Sequence, residues 1–366
     1  MNRMRAFLIT LLAALTLLSG CSAVKTSLKQ TPTLANAMGV AEIPERDLRR
    51  EYVNRQSRFV EVNGFNIHYR DEGNPDGPVI VLVHGIMSSL HTWDVWTRGL
   101  ADTHRVIRLD VPGYGLTGVP DELDVDQFDE TLLLTTFEKF IEELELTRFS
   151  LAGNSLGGYI SAMYAARHPE RVEKLILLDP VAYPQEVPWL FKLATHPAVK
   201  PFAKLAMPPW MVTLGLEEVY GDPKKITPET AKRYIYMSQR HRARESYVRT
   251  LEMLKEASSR ERPLPFGNIQ APALVMWGKE DHWVPVKLAE RWEKDIPNAQ
   301  VKIYDGVGHI PMEEAPELTL KDALAFLDQG SLIEVPTPTS DTEDLEAILK
   351  GDNGTEDIFA PLEGIQ

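Results

Sequence analysis

The sequence predicts an α/β fold: a mostly parallel central sheet flanked by helices, with a helical cap inserted above it. Three observations predict this. Val79-Ile80-Val81-Leu82-Val83 is an uninterrupted apolar run, as expected of a strand buried on both faces. Short apolar runs alternate with helix-period stretches along most of the chain, the pattern of parallel strands joined by crossover helices. The alternation stops between residues 181 and 262, where Pro, Met and aromatic residues gather without a strong strand. That interval reads as a mainly helical insertion.

The chain opens with Arg3 and Arg5, an apolar run over residues 6–18, and Ser19-Gly20-Cys21. A basic start, an apolar stretch too short to span stably, and small residues at its end read as an export signal. Leu18-Ser19-Gly20-Cys21 resembles a bacterial lipobox. That resemblance implies that residues 1–20 are a signal peptide and that Cys21 is lipidated as the first mature residue. Ser22 in place of Asp implies sorting to the outer membrane, within the bacterial cell envelope. Cys21 is the only cysteine, so no disulfide forms within the chain. Each buried methylene of an acyl chain contributes roughly 0.8 kcal/mol to membrane binding, so several chains on Cys21 would hold the protein there. Residues 21–50, polar and mixed with Pro32 and Pro44, read as a tether.

The body is expected over residues 51–330. Phe59-Val60-Glu61-Val62 and Asn66-Ile67-His68-Tyr69 are short strands around an Asn63-Gly64 turn. Residues 79–83 and 105–109 follow as strands, then a helix over 128–144 with apolar positions recurring at three and four. Strands are expected at 149–151, 174–178, 273–277 and 301–304, and helices at 155–167, 286–294 and 314–328. The cap spans about 181–262. After Gly330 the composition shifts: residues 331–366 hold nine acidic residues against Lys350 alone. Such a segment buries too little apolar surface to offset ordering entropy and reads as an acidic disordered tail, with a transient helix near residues 344–350.

Composition narrows the function. Of 366 residues, 43% are apolar and 25% charged, ordinary for a globular protein with a large core. The formal net charge of −14 argues against nucleic acid as a partner and gives no help in attracting anionic lipid. The nine histidines are scattered, without a metal-ligand cluster, so no metal is expected.

The chemistry gathers at Gly153-Asn154-Ser155-Leu156-Gly157, which directly follows an apolar strand and directly precedes a helix. In that setting G-x-S-x-G is a sharp turn that holds its serine in a strained conformation with the hydroxyl presented. Serine needs a base to take its proton, and the base needs a carboxylate to orient it. Both come late in the chain: Gly278-Lys279-Glu280-Asp281 after one strand, and Asp305-Gly306-Val307-Gly308-His309 after the next. The order is Ser155, Asp281, His309. Asp179, at the end of the 174–178 strand, is the alternative acid. Glu280 points elsewhere on its loop, Asp305 reads as a turn residue, His282 as a loop residue and His168 as the close of a helix. Leu156 N–H, at the start of the helix, is one oxyanion donor.

Residues 58–328 resemble the α/β-hydrolase superfamily. The resemblance rests on His84-Gly85, Asp110-Val111-Pro112-Gly113-Tyr114-Gly115, the elbow around Ser155, Gly278-Lys279-Glu280-Asp281 and Gly308-His309. It implies the α/β-hydrolase fold, and Ile86 N–H as the second oxyanion donor, with Met87 the near alternative. It implies structural roles for His84 and Asp110. A serine nucleophile excludes the relatives that use aspartate at the elbow, and leaves esterases, lipases, lactonases, thioesterases, peptidases and C–C bond hydrolases. Trp189, Phe191, Phe202, Met207 and Trp210 are expected to form an apolar pocket or lid. The resulting expectation is a cofactor-independent carboxylic ester hydrolase, esterase- or lipase-like, acting on a small-molecule or lipid ester. A C–C bond or amide hydrolase with the same triad is the alternative, and a non-catalytic envelope binding protein the third reading.

Overall fold

A computed structural model describes residues 32–259 and 261–329. The export signal, Cys21 and the acidic tail with its residues 344–350 lie outside the described residues.

Eight strands form one sheet: β1 (Ser57–Val62), β2 (Phe65–Gly73), β3 (Val79–Val83), β4 (Arg105–Leu109), β5 (Phe149–Asn154), β6 (Val172–Leu178), β7 (Ala273–Gly278) and β8 (Ala299–Tyr304). Their spatial order is β1-β2-β4-β3-β5-β6-β7-β8. β1 and β2 pair antiparallel, β2 is antiparallel to β4, and the six strands from β3 to β8 run parallel. The β1–β2 hairpin turns on Asn63 and Gly64, both at positive φ (51° and 79°). Two such residues let the turn follow the right-handed twist of its strands.

The central strands read as apolar runs because helices cover both sheet faces. All six residues of β5 and of β7 are buried. Helix Leu156–Arg167 buries every residue except its last, which is why its sequence is apolar all round. Helix Glu130–Glu143 starts where the Asp129 carboxylate accepts from Leu132 N–H.

The topology positions the site. β3 lies between β4 and β5, so the chain leaves β3 to one side and later returns on the other. Loops leaving β3 and β5 therefore diverge and open a crevice at the carboxyl ends of the strands. Above it, between β6 and β7, lie helices Trp189–Ala194, Lys200–Ala203, Pro209–Val219, Pro228–Ser238 and Ala243–Ala257, with no strand among the described residues. The expected helical insertion is present.

Three local expectations need correction. The tether does not run to residue 50: helices Pro32–Ala37 and Glu45–Tyr52 precede β1, and Ala35, Val40 and Leu48 are buried. Leu48 is the sole buried residue of an otherwise polar helix, so composition concealed it. The helix expected over 286–294 begins as a 3-10 turn, Val286–Leu288, before Ala289–Asp295. The helix expected over 314–328 is divided at Ala315 into Pro311–Glu314 and Pro316–Gln329, because Pro316 disfavours helical backbone in the residue before it. Among the described residues, no helix is long and apolar enough to cross a membrane.

Candidate active site

Ser155 leaves β5 at φ 55°, ψ −117°, and the helix begins at the next residue. A non-glycine residue in this region stores about 1–3 kcal/mol of strain that its surroundings must hold. They do so through hydrogen bonds. Ser155 N–H donates to Leu178 O (2.9 Å), and Ser155 C=O accepts from Tyr159 N–H (3.0 Å). The flanking glycines are required by contact. A Cβ on Gly153 would lie 2.2 Å from Gly157 O, and one on Gly157 would lie 2.2 Å from Val83 O.

The loop after β3 passes just as closely. A Cβ on Gly85 would sit 3.0 Å from Ser155 Cβ, which places the peptide that leads to Ile86 beside the serine. His84 holds this loop: Val111 N–H donates to its Nε2 (3.0 Å), which leaves Nδ1 to donate to Gly85 O (2.7 Å). Burial, foremost, lowers the His84 pKa, in keeping with this neutral bridge. Asp110 accepts from Leu90 N–H, Leu116 N–H (both 2.8 Å) and His68 Nδ1 (2.7 Å). Burial opposes its charge, but the His68 hydrogen bond holds its carboxyl below the usual range. Both residues therefore brace loops, as expected. Met87 sits at φ 56°, a second strained position in the same crevice.

Asp281 and His309 meet from the ends of β7 and β8. His309 Nδ1 lies 2.7 Å from Asp281 Oδ2, so the ring turns Nε2 away from the carboxylate. Asp281 Oδ1 also accepts from Trp283 N–H (2.7 Å) and Val284 N–H (2.8 Å). Three donors thus converge on one carboxyl. Ser155, Asp281 and His309 are all buried, and Ser155 and His309 line one cleft with Ile86. Leu156 N–H, in the first turn of its helix, is among the donors that have no intrahelical acceptor.

Asp179 occupies the place considered for an alternative acid, and the structure gives it a different character. It is fully buried, Oδ1 accepts from Gly278 N–H (2.9 Å), and Oδ2 has no partner. Asp179, Asp281 and His309 each bring one polar atom within 4.8 Å of the others. Burial first, then the Asp281 charge, raises the Asp179 pKa well above the carboxylate range. With one donor against three, Asp179 is the member of the pair that keeps a proton. The three groups could meet a metal by spacing, but His309 and Asp281 already satisfy one another. The remaining candidates behave as read. Glu280 accepts from Val307 N–H, Asp305 pairs with Lys279 at the surface, His282 is exposed, and His168 caps the elbow helix.

Three residues escaped the sequence reading. Asn154 Nδ2 donates to Leu178 O (3.1 Å) and His309 O (3.0 Å), tying the elbow to the base. Its signal was available, because it stands inside the elbow. Glu314 is buried and accepts from Gly308 N–H (2.7 Å), Gly221 N–H (2.9 Å) and Asp222 N–H (2.8 Å), clamping the His309 loop to the cap. Nothing local in the sequence marks it. Trp283 stands with its ring centroid 5.8 Å from that of His309.

The cleft holds about 920 Å³ of space, part of it open to solvent. Leu190, Phe191, Met207, Met211, Val212 and Leu216 make its cap side, and no Lys, Arg, Asp or Glu lines it. Its polar side chains are uncharged apart from His309: Ser88, Asn154, Ser155, Tyr234, Ser238, Tyr247 and Trp283, with Tyr234 OH within 3.2 Å of Ser88 Oγ. Phe202, expected in the pocket, does not line it, and Trp189 and Trp210, expected there too, are instead 49% and 50% exposed. Each tryptophan precedes a lining residue by one helical position, about 100° around the axis, and so points outward.

Residues 78–316 match the model of the alpha/beta hydrolase fold family. The chain belongs to that family. Among its relatives, Lipase 1 of Psychrobacter immobilis is 27% identical over 271 residues, covering 72% of this chain and 81% of that protein. A 2-hydroxy-6-oxononadienedioate/2-hydroxy-6-oxononatrienedioate hydrolase of Comamonas testosteroni is 26% identical over 293 residues, covering 75% and 97%. Among solved structures, a membrane phospholipase A described as a bacterial virulence factor is 26% identical with a TM-score of 0.62, covering 90% of this chain and 98% of that one. An α/β-hydrolase enzyme with lipase, phospholipase and C–C hydrolase relatives is thereby established.

Proposed function

We propose that the protein is a carboxylic ester hydrolase, esterase- or lipase-like, that works through an acyl-enzyme on Ser155. The observation that carries this reading is the convergence of strained Ser155 with the Asp281–His309 pair in one apolar cleft. His309 Nε2 takes the Ser155 proton as the hydroxyl attacks the ester carbonyl. Ile86 and Leu156 N–H groups receive the developing oxyanion. His309 then protonates the leaving alcohol, and water attacks the acyl-enzyme by the reverse path. Asp281 holds the imidazole with Nδ1 protonated and stabilises its charged form. The reading uses no metal or organic cofactor.

The cleft lining supports an apolar acyl group over the dianionic dienedioate named for the Comamonas relative. A dianion buried there would meet no cationic side chain, and an uncompensated charge costs several kcal/mol. The C–C reading remains the alternative for the same triad. The reading also includes a lipidated Cys21 that tethers the enzyme to the bacterial cell envelope, at the outer membrane; the lipobox residues support it. A panel of p-nitrophenyl esters of rising chain length, run beside a vinylogous 2-hydroxy-6-oxo-dienoate, tests the activity. Ester turnover far exceeding dienoate turnover is expected, and the reverse ranking overturns it. Loss of the lipid mass and of membrane fractionation in Cys21→Ser tests the anchor.

A further inference from the structure

The chain carries 53 acidic residues, yet residues 187–216 contain none. In the same thirty residues stand Lys192, Lys200 and Lys204 and both exposed tryptophans. Lys200 and Lys204 reach Glu252 (2.6 Å) and Asp126 (3.3 Å), whereas Lys192 is exposed and has no acidic partner among the described residues. Net charge over the whole chain hides this acid-free stretch, which Glu186 and Glu217 bound in the sequence and in which Lys192 is the unpaired cation among the described residues.

The placement adds a second argument. Trp189 and Trp210 stand on the outer side of the cap wall of the cleft, because Leu190 and Met211, next to them in the chain, line it. The N-terminal segment also reaches the body here. Gly39 O accepts from Met207 N–H (3.1 Å), three residues before Trp210. Indole rings combine an apolar body with a polar N–H and favour the headgroup level of a bilayer, and lysines beside them favour anionic lipid.

We propose that this cap face docks on an anionic lipid bilayer, with Trp189 and Trp210 seated at the headgroup level and the cleft mouth turned toward the membrane. The docking would let an apolar acyl chain pass from bilayer to cleft without crossing water. It goes beyond the ester hydrolase reading, and its test does not use Ser155 chemistry.

The other five tryptophans make the test selective. Trp93, Trp96, Trp277 and Trp292 are fully buried, and Trp283 is nearly so. The full chain is bound to vesicles of phosphatidylcholine and phosphatidylglycerol, with either plain acyl chains or chains brominated near the headgroup. Bromine quenches an indole it can touch. The expected result is loss of the emission of two tryptophans on brominated vesicles, absent in Trp189→Phe/Trp210→Phe. Quenching should weaken in Lys192→Glu, in high salt, and on phosphatidylcholine alone. Equal emission on plain and brominated vesicles, with the protein co-sedimenting, assigns binding to the N-terminal segment and overturns the proposal. Failure to co-sediment overturns it, and so does quenching that survives the double substitution. Quenching equal on phosphatidylcholine alone overturns the anionic preference. Unchanged near-ultraviolet circular dichroism of the double variant verifies its fold.

Discussion

Asn substitutions at the two buried aspartates should separate their roles. Asp281 receives His309 Nδ1 and two backbone N–H groups. In Asp281→Asn the two backbone donors keep one oxygen, so the amide turns its NH2 toward His309. Nδ1 must then accept, Nε2 carries the proton, and the ring cannot take one from Ser155. A wrong-tautomer substitution of this kind lowers kcat about 10⁴-fold in a serine protease triad, which corresponds to about 5 kcal/mol of transition-state stabilisation. Asp179 already holds its proton, so asparagine matches its neutral form, with one oxygen for Gly278 N–H and an NH2 in place of the unpartnered Oδ2. Asp179→Asn should leave kcat within about threefold.

Stability gives this prediction a sign. An unfolded aspartate ionises near pH 4, whereas buried Asp179 has its pKa raised and stays protonated. Above about pH 4 the native state therefore binds a proton that the unfolded state does not. Wild-type stability loses up to about 1.4 kcal/mol per pH unit from this group until the native pKa is reached. Asparagine removes that loss. The assay is urea denaturation of wild type and Asp179→Asn from about pH 5 to about pH 8, with initial rates on a p-nitrophenyl ester. The variant should gain on wild type as pH rises. A pH-independent difference would refute the protonated state. A 10³-fold rate loss in Asp179→Asn beside a mild Asp281→Asn would move the acid to β6.

Two further substitutions test the framework. Glu314→Ala leaves the buried Gly308 N–H and the half-buried Gly221 and Asp222 N–H groups without their acceptor, so about 2 kcal/mol or more should be lost in urea denaturation, with a fall in kcat as the His309 loop loosens. Rescue of part of that kcat by Glu314→Gln would fit positioning, and an unchanged kcat in the alanine variant would count against it. Gly157→Ala sets a methyl against the backbone oxygens of Val83 (2.2 Å) and His84 (2.6 Å), which have no room to retreat. A loss of about 3 kcal/mol is expected, against a helix-propensity gain of at most about 1 kcal/mol; a stabilised variant would contradict the elbow packing.

What the sequence revealed follows from where physical constraints are local. β3 is legible because a two-face-buried strand must be apolar, and the elbow because strain and close approach demand Gly-x-Ser-x-Gly. Asp281 and His309 are legible because they end consecutive strands. Glu314 is not, because its partners at residues 221 and 222 lie some ninety positions away and are brought in by the cap. The helix Glu45–Tyr52 is concealed for a related reason: one buried leucine in a charged segment resembles linker until its tertiary surface is known. Trp189 and Trp210 show the limit at a single site. Their apolar character is plain, but one helical position decides whether an indole faces the cleft or the solvent.

The central claim is that Ser155 is the nucleophile of this hydrolase. A fluorophosphonate phosphonylates only a serine whose proton is taken and whose oxyanion is held, so labelling followed by peptide mass spectrometry reads that claim directly. The account predicts one adduct on the Ser155 peptide, absent in Ser155→Ala and nearly absent in Asp281→Asn. A folded wild-type protein that takes no label, or takes it on another residue, would contradict it.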